Sequence, residues 1–355
     1  MPLSSPGNQP TERVRDVGER VLIERIRKRV PPPPAGLVVA IGDDAAVAAL
    51  DRGTLQVLTT DALVEGVHFD RRFSSPVDIG YKALAVNVSD VAAMGGAPRL
   101  ALLSLMLPED ITLGEVDALL DGLLEMAAEC GVALAGGNIT RSPGPLVVDV
   151  TVSGSVKPRK ILTRGGGRPG DALYVTGRIG AAAAGLEWLR AASSLPARES
   201  DRAYVSRPED PHMNECVLRH CRPAPRVRIG TFLGRNRAAS ACMDLSDGLA
   251  DAVTQIASAS GTGAALDASL VPIHPGAVSW FSAAGREPVA ASLGGGDDYE
   301  LLFAVPRRRR GRLRAVVREA RGVAITCIGE LTAERTIGIS RGARMEPLPA
   351  GFTHF

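Results

Sequence analysis

An apolar run that closes on aspartate and then meets glycine or a helix start is the feature that most limits how this chain can fold. The fullest case is Cys242-Met243-Asp244-Leu245-Ser246-Asp247-Gly248-Leu249, which reads as a buried strand entering a helix. The arrangement recurs at Asp43 and Asp44, at Asp61, and at Asp297 and Asp298. Carboxylates at strand ends are oriented by the turn and left short of protein partners, which suits a hard divalent cation bound to phosphates. The expectation is that these distant acids converge.

Taken in order, residues 1–10 are rich in Pro, Ser, Gly and Asn and read as disordered, while 11–30 carry a helical rhythm stopped at Pro31 to Pro34. Short strands are expected at 37–41 and 55–58, with Asp44 and Asp61 where each hands over to a loop. A helix over 76–94 is closed by Gly95-Gly96 and Pro98. On it, Asn87 and Asp90 sit among Ala83, Leu84, Val88 and Val91, so each needs a hydrogen-bonding partner or a metal, Asp90 otherwise serving as a structural cap. A strand over 100–107 precedes the capping box Thr112-x-x-Glu115 and a long helix. A strand over 132–135 then runs into Gly136-Gly137-Asn138-Ile139-Thr140-Arg141, read either as a close approach to phosphate or base or as a tight turn. After a strand over 146–156, Lys157-Pro158 and Gly165 to Gly167 mark a domain boundary, giving domains 1–157 and 158–355.

In the second half, strands are expected at 172–176, 264–267 and 301–305. Helices are expected at 179–192, at 212–235 with a break at Pro223 and Pro225, and at 249–258 closed by Gly261. Gly165 to Gly170 formally fits G-x-G-x-x-G but precedes its strand, so a dinucleotide fold is rejected, and no P-loop pattern occurs. Arg307 to Arg310, with Arg312 and Arg314, read as a solvated helix face, because only 4% of residues are aromatic and a nucleic-acid surface would interleave them. A net charge of +2 likewise gives no reason to expect nucleic acid or a membrane as partner. Five scattered cysteines without a C-x-x-C pair, and no signal-like apolar run, predict a cytoplasmic protein with reduced thiols.

Five segments, in this order, resemble the thiamine-monophosphate kinase family: Ile41-Gly-Asp-Asp-Ala-Ala46, Thr59-Thr-Asp-Ala-Leu-Val-Glu-Gly-Val-His-Phe69, the stretch from Gly80 to Gly95 that contains Asn87-Val-Ser-Asp90, Met243-Asp-Leu-Ser-Asp-Gly-Leu249 and Gly295-Gly-Asp-Asp-Tyr-Glu-Leu301. The resemblance implies the two-domain α/β fold of the aminoimidazole ribonucleotide synthetase superfamily, with N-terminal domains of two subunits pairing into a shared β-barrel. It implies a homodimer that phosphorylates thiamine monophosphate to thiamine diphosphate with ATP and Mg²⁺. Carried over by position, it implies metal ligation by Asp44, Thr59, Thr60, Asp61, Asp90, Asn138, Asp244 and Asp247. It further implies ATP contacts at Gly137, Asn138, Arg164 and Ser246, and substrate contacts at His68, Asp297 and Phe352. No covalent nucleophile or general base is expected, because a phosphate oxygen ionised at neutral pH can attack unaided.

Two positions depart from the family pattern. Asn138 stands where the family has Asp, replacing a carboxylate by a weaker amide ligand, and Asp297 stands where it has Glu, keeping the charge with a shorter reach. Selenophosphate synthetase would need a cysteine near the N-terminus and the hydrogenase-maturation dehydratase a cysteine tail; the first cysteine is Cys130 and the last residue Phe355. The alternatives left open are another ATP-using member of the superfamily and an inactive, regulatory nucleotide-binding paralogue.

Overall fold

The computed structural model describes residues 12–17, 19–41, 45–49, 52–193, 207–342 and 344–351. Asp43, Asp44 and Phe352 lie outside the described residues, as do positions 1–11. The chain divides into two compact units. The first comprises residues 1–52, 58–87 and 98–154, and the second 53–57, 88–97 and 155–355.

The first unit holds a four-stranded sheet of β1 (Leu55–Val64), β2 (Ala97–Leu107), β3 (Ala133–Arg141) and β4 (Val147–Val156), in the order β1-β4-β2-β3. Helix α1 (Pro76–Ala93), as far as Asn87, and α2 (Leu113–Cys130) carry its helical layer, while residues 88–93 of α1 belong to the second unit. The capping box at Thr112 and Glu115 forms as the sequence predicts, and Gly131 closes α2 in the left-handed conformation. Alternate residues of β2 and β4, among them Leu103, Leu105, Val148 and Val150, are buried. On the opposite side the sheet leaves apolar side chains in the open, with Leu58 65% and Leu102 44% exposed.

Two expectations about this sheet are corrected. Asp61 does not end a strand: β1 continues to Val64, because Ala62-Leu63-Val64 keep the extended alternation and Leu63 is buried. Gly136-Gly137 does not form a turn either. Parallel pairing with β2, from Leu102 opposite Gly136 to Leu107 opposite Arg141, holds the whole Gly-Gly-Asn-Ile-Thr-Arg segment inside β3.

The second unit is built on a seven-stranded sheet of β5 (Ala172–Thr176), β6 (Ala241–Asp244), β7 (Gly263–Asp267), β8 (Leu301–Val305), β9 (Ile325–Thr332), β10 (Ile337–Arg341) and β11 (Arg344–Pro347). Its order is β11-β10-β7-β9-β5-β8-β6. Helices α3 (Ala181–Ser193), α4 (Pro211–Cys221), α5 (Val227–Asn236), α6 (Leu249–Ser260), α7 (Pro275–Ala283), α8 (Pro288–Gly294) and α9 (Arg310–Glu319) complete it. Both faces of the central strands are covered. Met243, Leu302 and Ala304 join Leu249, Val253 and Ile256 of α6, while Cys242, Phe303 and Val305 pack with Ile229, Leu233, Leu313 and Val316 of α5 and α9. This is why β6 and β8 read as unbroken apolar runs rather than alternating ones. Among the described residues no helix is long and apolar enough to cross a membrane.

Candidate active site

Strand β6 delivers Asp244 to the end of the second sheet, where Ser89, fully buried on α1, donates its hydroxyl to Asp244 Oδ2 at 2.7 Å. Asp244 is 3% exposed, so this bond fixes one carboxylate oxygen in a nearly closed setting. The chain then turns through Ser246 and Asp247 to Gly248, which starts α6 at φ 97° without a side-chain cap. First-turn N–H groups of α6 therefore have no side-chain cap, and the positive end of the helix dipole lies at this turn.

The Gly-Gly-Asp-Asp segment lies directly against this turn. Asp297 N–H donates to Ser246 O at 2.7 Å, Tyr299 N–H to Leu245 O at 2.9 Å, and Leu245 N–H to Glu300 O at 2.9 Å. The backbones pass so closely that a Cβ on Gly296 would stand 2.6 Å from Ser246 O, and one on Gly248 2.8 Å from Gly295 O. Two motifs about fifty positions apart in sequence thus form one surface. Asp297 adopts φ 68°, strained for a non-glycine residue, and its carboxylate accepts from the Tyr299 hydroxyl at 3.2 Å and lies 3.4 Å from His220 Nδ1.

The second acid of that pair has a different task. Asp298 is buried and accepts the N–H groups of Gly180, at 2.7 Å, and Ala182, at 3.3 Å, where α3 begins. Burial pushes it up to about 7 against the pull of those two donors. Glu300 is tied into a buried network, accepting from Arg226 through both oxygens and from the Thr176 hydroxyl at 2.5 Å. This network anchors the strand that follows the acidic loop. Arg164 is held on the face of α6, donating to Gln255 at 2.5 Å, and Gln255 in turn donates to Asp251 at 2.5 Å. The second unit therefore brings together Asp244, Ser246, Asp247 and Asp297 at one end of its sheet. Gly351 reaches the same turn, where a Cβ on it would stand 2.9 Å from Asp247 O.

In the first unit, strand alternation places Thr59 and Asp61 on the face of Leu63, whereas Thr60 is turned to the open face, its hydroxyl within 3.1 Å of Asp149 and 3.0 Å of Thr151. Asn138 pairs with Ser104 and shares that open face, and Gly137 pairs with Leu103. β1 and β3 are opposite edges of the sheet, separated by three strand spacings, roughly 14 Å. His68 Nδ1 accepts the Val64 N–H at 3.0 Å, which puts the proton of the neutral ring on Nε2. Asn87 donates to Ala83 O at 3.0 Å, and its buried Oδ1 has no hydrogen-bond partner among the described residues. Asp90 lies one residue past Ser89, the side chain that reaches Asp244.

Among the described residues no three His, Cys, Asp or Glu side chains cluster as a ready cation cage. The donors are nonetheless oxygens throughout, and Mg²⁺ is typically held by one or two carboxylates, substrate phosphates and water. The residues fit that ion. Sequence reasoning missed Ser89, Arg226 and Glu300. Ser89 and Glu300 lie inside the Asn87–Asp90 and Gly295–Leu301 segments that carry the resemblance, although no role was read for them, whereas nothing local marks Arg226.

The fold and this acid-lined helix N-terminus define a two-domain protein of the AIR synthase related class: residues 42–156 match the AIR synthase related protein N-terminal domain, and 168–341 the C-terminal domain. Within that class the similarity is narrower. The chain is 38% identical over 317 residues to the thiamine-monophosphate kinase of Escherichia coli K12, covering 89% of this chain and 91% of that protein. The crystal structure of thiamine-monophosphate kinase from Stenotrophomonas maltophilia K279a is 33% identical with a TM-score of 0.78, over 90% of this chain and 95% of that one. A structure described as AaThiL complexed with AMPPCP and TMP is 30% identical with a TM-score of 0.72, over 97% and 99%. The chain belongs to the thiamine-monophosphate kinase family.

Proposed function

We propose that this chain transfers the γ-phosphoryl group of ATP to thiamine monophosphate, giving thiamine diphosphate and ADP. The observation that carries this reading is the junction of the Asp244–Gly248 turn with the Asp297 loop at the uncapped start of α6. A phosphate oxygen of the acceptor attacks phosphorus as the bond to the ADP oxygen breaks, and no proton need be removed from the acceptor first. What must be overcome is repulsion between two phosphate-bearing anions. The N–H groups of α6 and Arg164 meet polyphosphate charge, Ser246 donates to it, and Asp244 is held in one orientation by Ser89.

Asp44, Thr59, Thr60, Asp61, Asp90, Asn138, Asp244 and Asp247 would hold Mg²⁺, which supplies charge neutralisation and in-line alignment of the transferring group. Gly137 and Asn138 would contact ATP with Arg164 and Ser246. Asp297, carrying negative charge, suits the cationic thiazolium or the pyrimidine amino group. His68 presents Nε2–H as a donor, and Phe352 would stack on a ring.

A homodimer is part of the same proposal. Asn138 and Asp61 stand on opposite edges of one sheet, too far apart to share a cation within one copy. A second copy closing the open apolar face would set the β3 edge of one beside the β1 edge of the other, forming a barrel. All five cysteines are thiols, in keeping with a reducing cytoplasm.

The deciding experiment is a coupled assay for ADP release that depends on thiamine monophosphate. Asp247→Asn is expected to lower the rate at least about a hundredfold, and Asn138→Asp to preserve or raise it. Absence of release dependent on thiamine monophosphate would overturn the assignment in favour of a regulatory nucleotide binder.

A further inference from the structure

The basic run after β8 is not simply a solvated helix face. Arg307, Arg308 and Arg309 line a cavity of about 740 Å³ within the second unit. Arg159, Lys160, Arg168 and Arg237, cations from three other parts of the chain, line it too. Asp171 is the one carboxylate lining it, and that carboxylate already accepts from the Ser240 hydroxyl at 2.7 Å and the Arg168 N–H at 3.0 Å. None of the seven basic side chains makes a salt bridge among the described residues. Two are steadied by neutral carbonyls instead: Arg309 donates to Ala239 O and Lys160 to Arg235 O, each at 2.8 Å. Burial, and then the like charges of Arg308 and Arg312, hold Arg309 below the usual arginine range. Such crowding costs electrostatic energy that a bound anion would relieve.

The cavity lies away from the acids. Asp171 and Ser240 precede β5 and β6, whereas Asp244 closes β6 at its other end, a strand length of roughly 13 Å. Cavity size falls in the range of small-molecule pockets. Guanidinium forks match phosphate oxygens in pairs, and an excess of six cations over one carboxylate calls for more than a single negative charge. No aromatic side chain lines it, so no platform is present to stack a base or a thiazole ring. We propose that this cavity is a second anion site that takes the diphosphate or triphosphate group of a small molecule without a divalent cation. It reads the phosphates and is indifferent to what they are attached to.

The test is calorimetric titration of the full chain with inorganic pyrophosphate in EDTA at low salt, conditions that withhold the divalent cation through which carboxylates hold phosphate. One saturable site per chain is expected. Affinity should fall at least about tenfold in the triple variant Arg237→Gln, Arg307→Gln, Arg308→Gln, at least about threefold in Arg308→Glu alone, and stay unchanged in Asp244→Asn. ADP and thiamine diphosphate should bind within about threefold of pyrophosphate. These exposed substitutions should leave the melting temperature within about 2 °C of the parent, which shows the fold intact. The proposal is overturned by no saturable binding in EDTA, by equal binding to the triple variant, or by loss of binding in Asp244→Asn. It is equally overturned if ADP binds far more tightly than pyrophosphate. Because the readout is binding without Mg²⁺, it stands or falls separately from the kinase assay.

Discussion

The two sheets of this protein solve the same packing problem to different degrees. In the second unit, β6 and β8 are covered on both faces, and Phe303 and Met243 point into separate cores on opposite sides. In the first, Leu103 and Val150 are buried while Leu58 and Leu102 on the reverse face meet solvent. A finished sheet can hold a strained loop such as Asp297 in place, because everything beneath it is packed. An unfinished one leaves an apolar face whose burial requires another surface.

The largest effect that would sharpen this contrast is expected at the anchor of the finished sheet. Arg226→Ala leaves the Glu300 carboxylate buried beside Thr176 without its main cation, and should cost about 3–5 kcal/mol in urea unfolding. A loss below about 1 kcal/mol would mean that the loop is held by something other than this pair.

Next comes pH. Asp298 is raised to about 7 by burial, above its unfolded value, so its contribution to stability is fully present below about pH 4 and fades as pH rises through 7. Between about pH 5 and about pH 8 the protein should lose on the order of 2 kcal/mol, and Asp298→Asn, which cannot ionise and whose single amide oxygen can still accept the Gly180 N–H, should flatten that slope. An unchanged slope in the variant would assign the pH response to another group.

The smallest stability change is expected on the open face. Leu58→Asp should alter unfolding of the isolated chain by about 0.5 kcal/mol or less, since the side chain is already in water. The same variant should weaken self-association at least about tenfold by light scattering. A large loss of monomer stability would show that Leu58 is packed within one copy, and the contrast between the two sheets would fail.

How much of this was legible follows from where each signal resides. β5 and β8 match their expected bounds, and α6 ends at Gly261 as read, because continuous apolar runs and a left-handed glycine are local signals. β1 beyond Leu58 and the glycines inside β3 were misread, because the pairing that keeps them extended comes from strands elsewhere in the chain. Short helices α7 and α8 went unforeseen. The Asp297-Asp298 pair looked like one acidic motif, yet the left-handed turn at Asp297 sends its neighbour inward to cap α3.

Apolar periodicity and turn residues, which act over a few positions, were enough to place most strands and helices from the amino-acid order, and the resemblance carried by the acidic motifs implied an α/β chain of this kinase family. Three-dimensional packing alone decided that Ser89 meets Asp244, that Arg226 holds Glu300, and that seven scattered cations ring one cavity. Such pairings join residues far apart in the chain, and their strength depends on burial and direction, which no local pattern encodes.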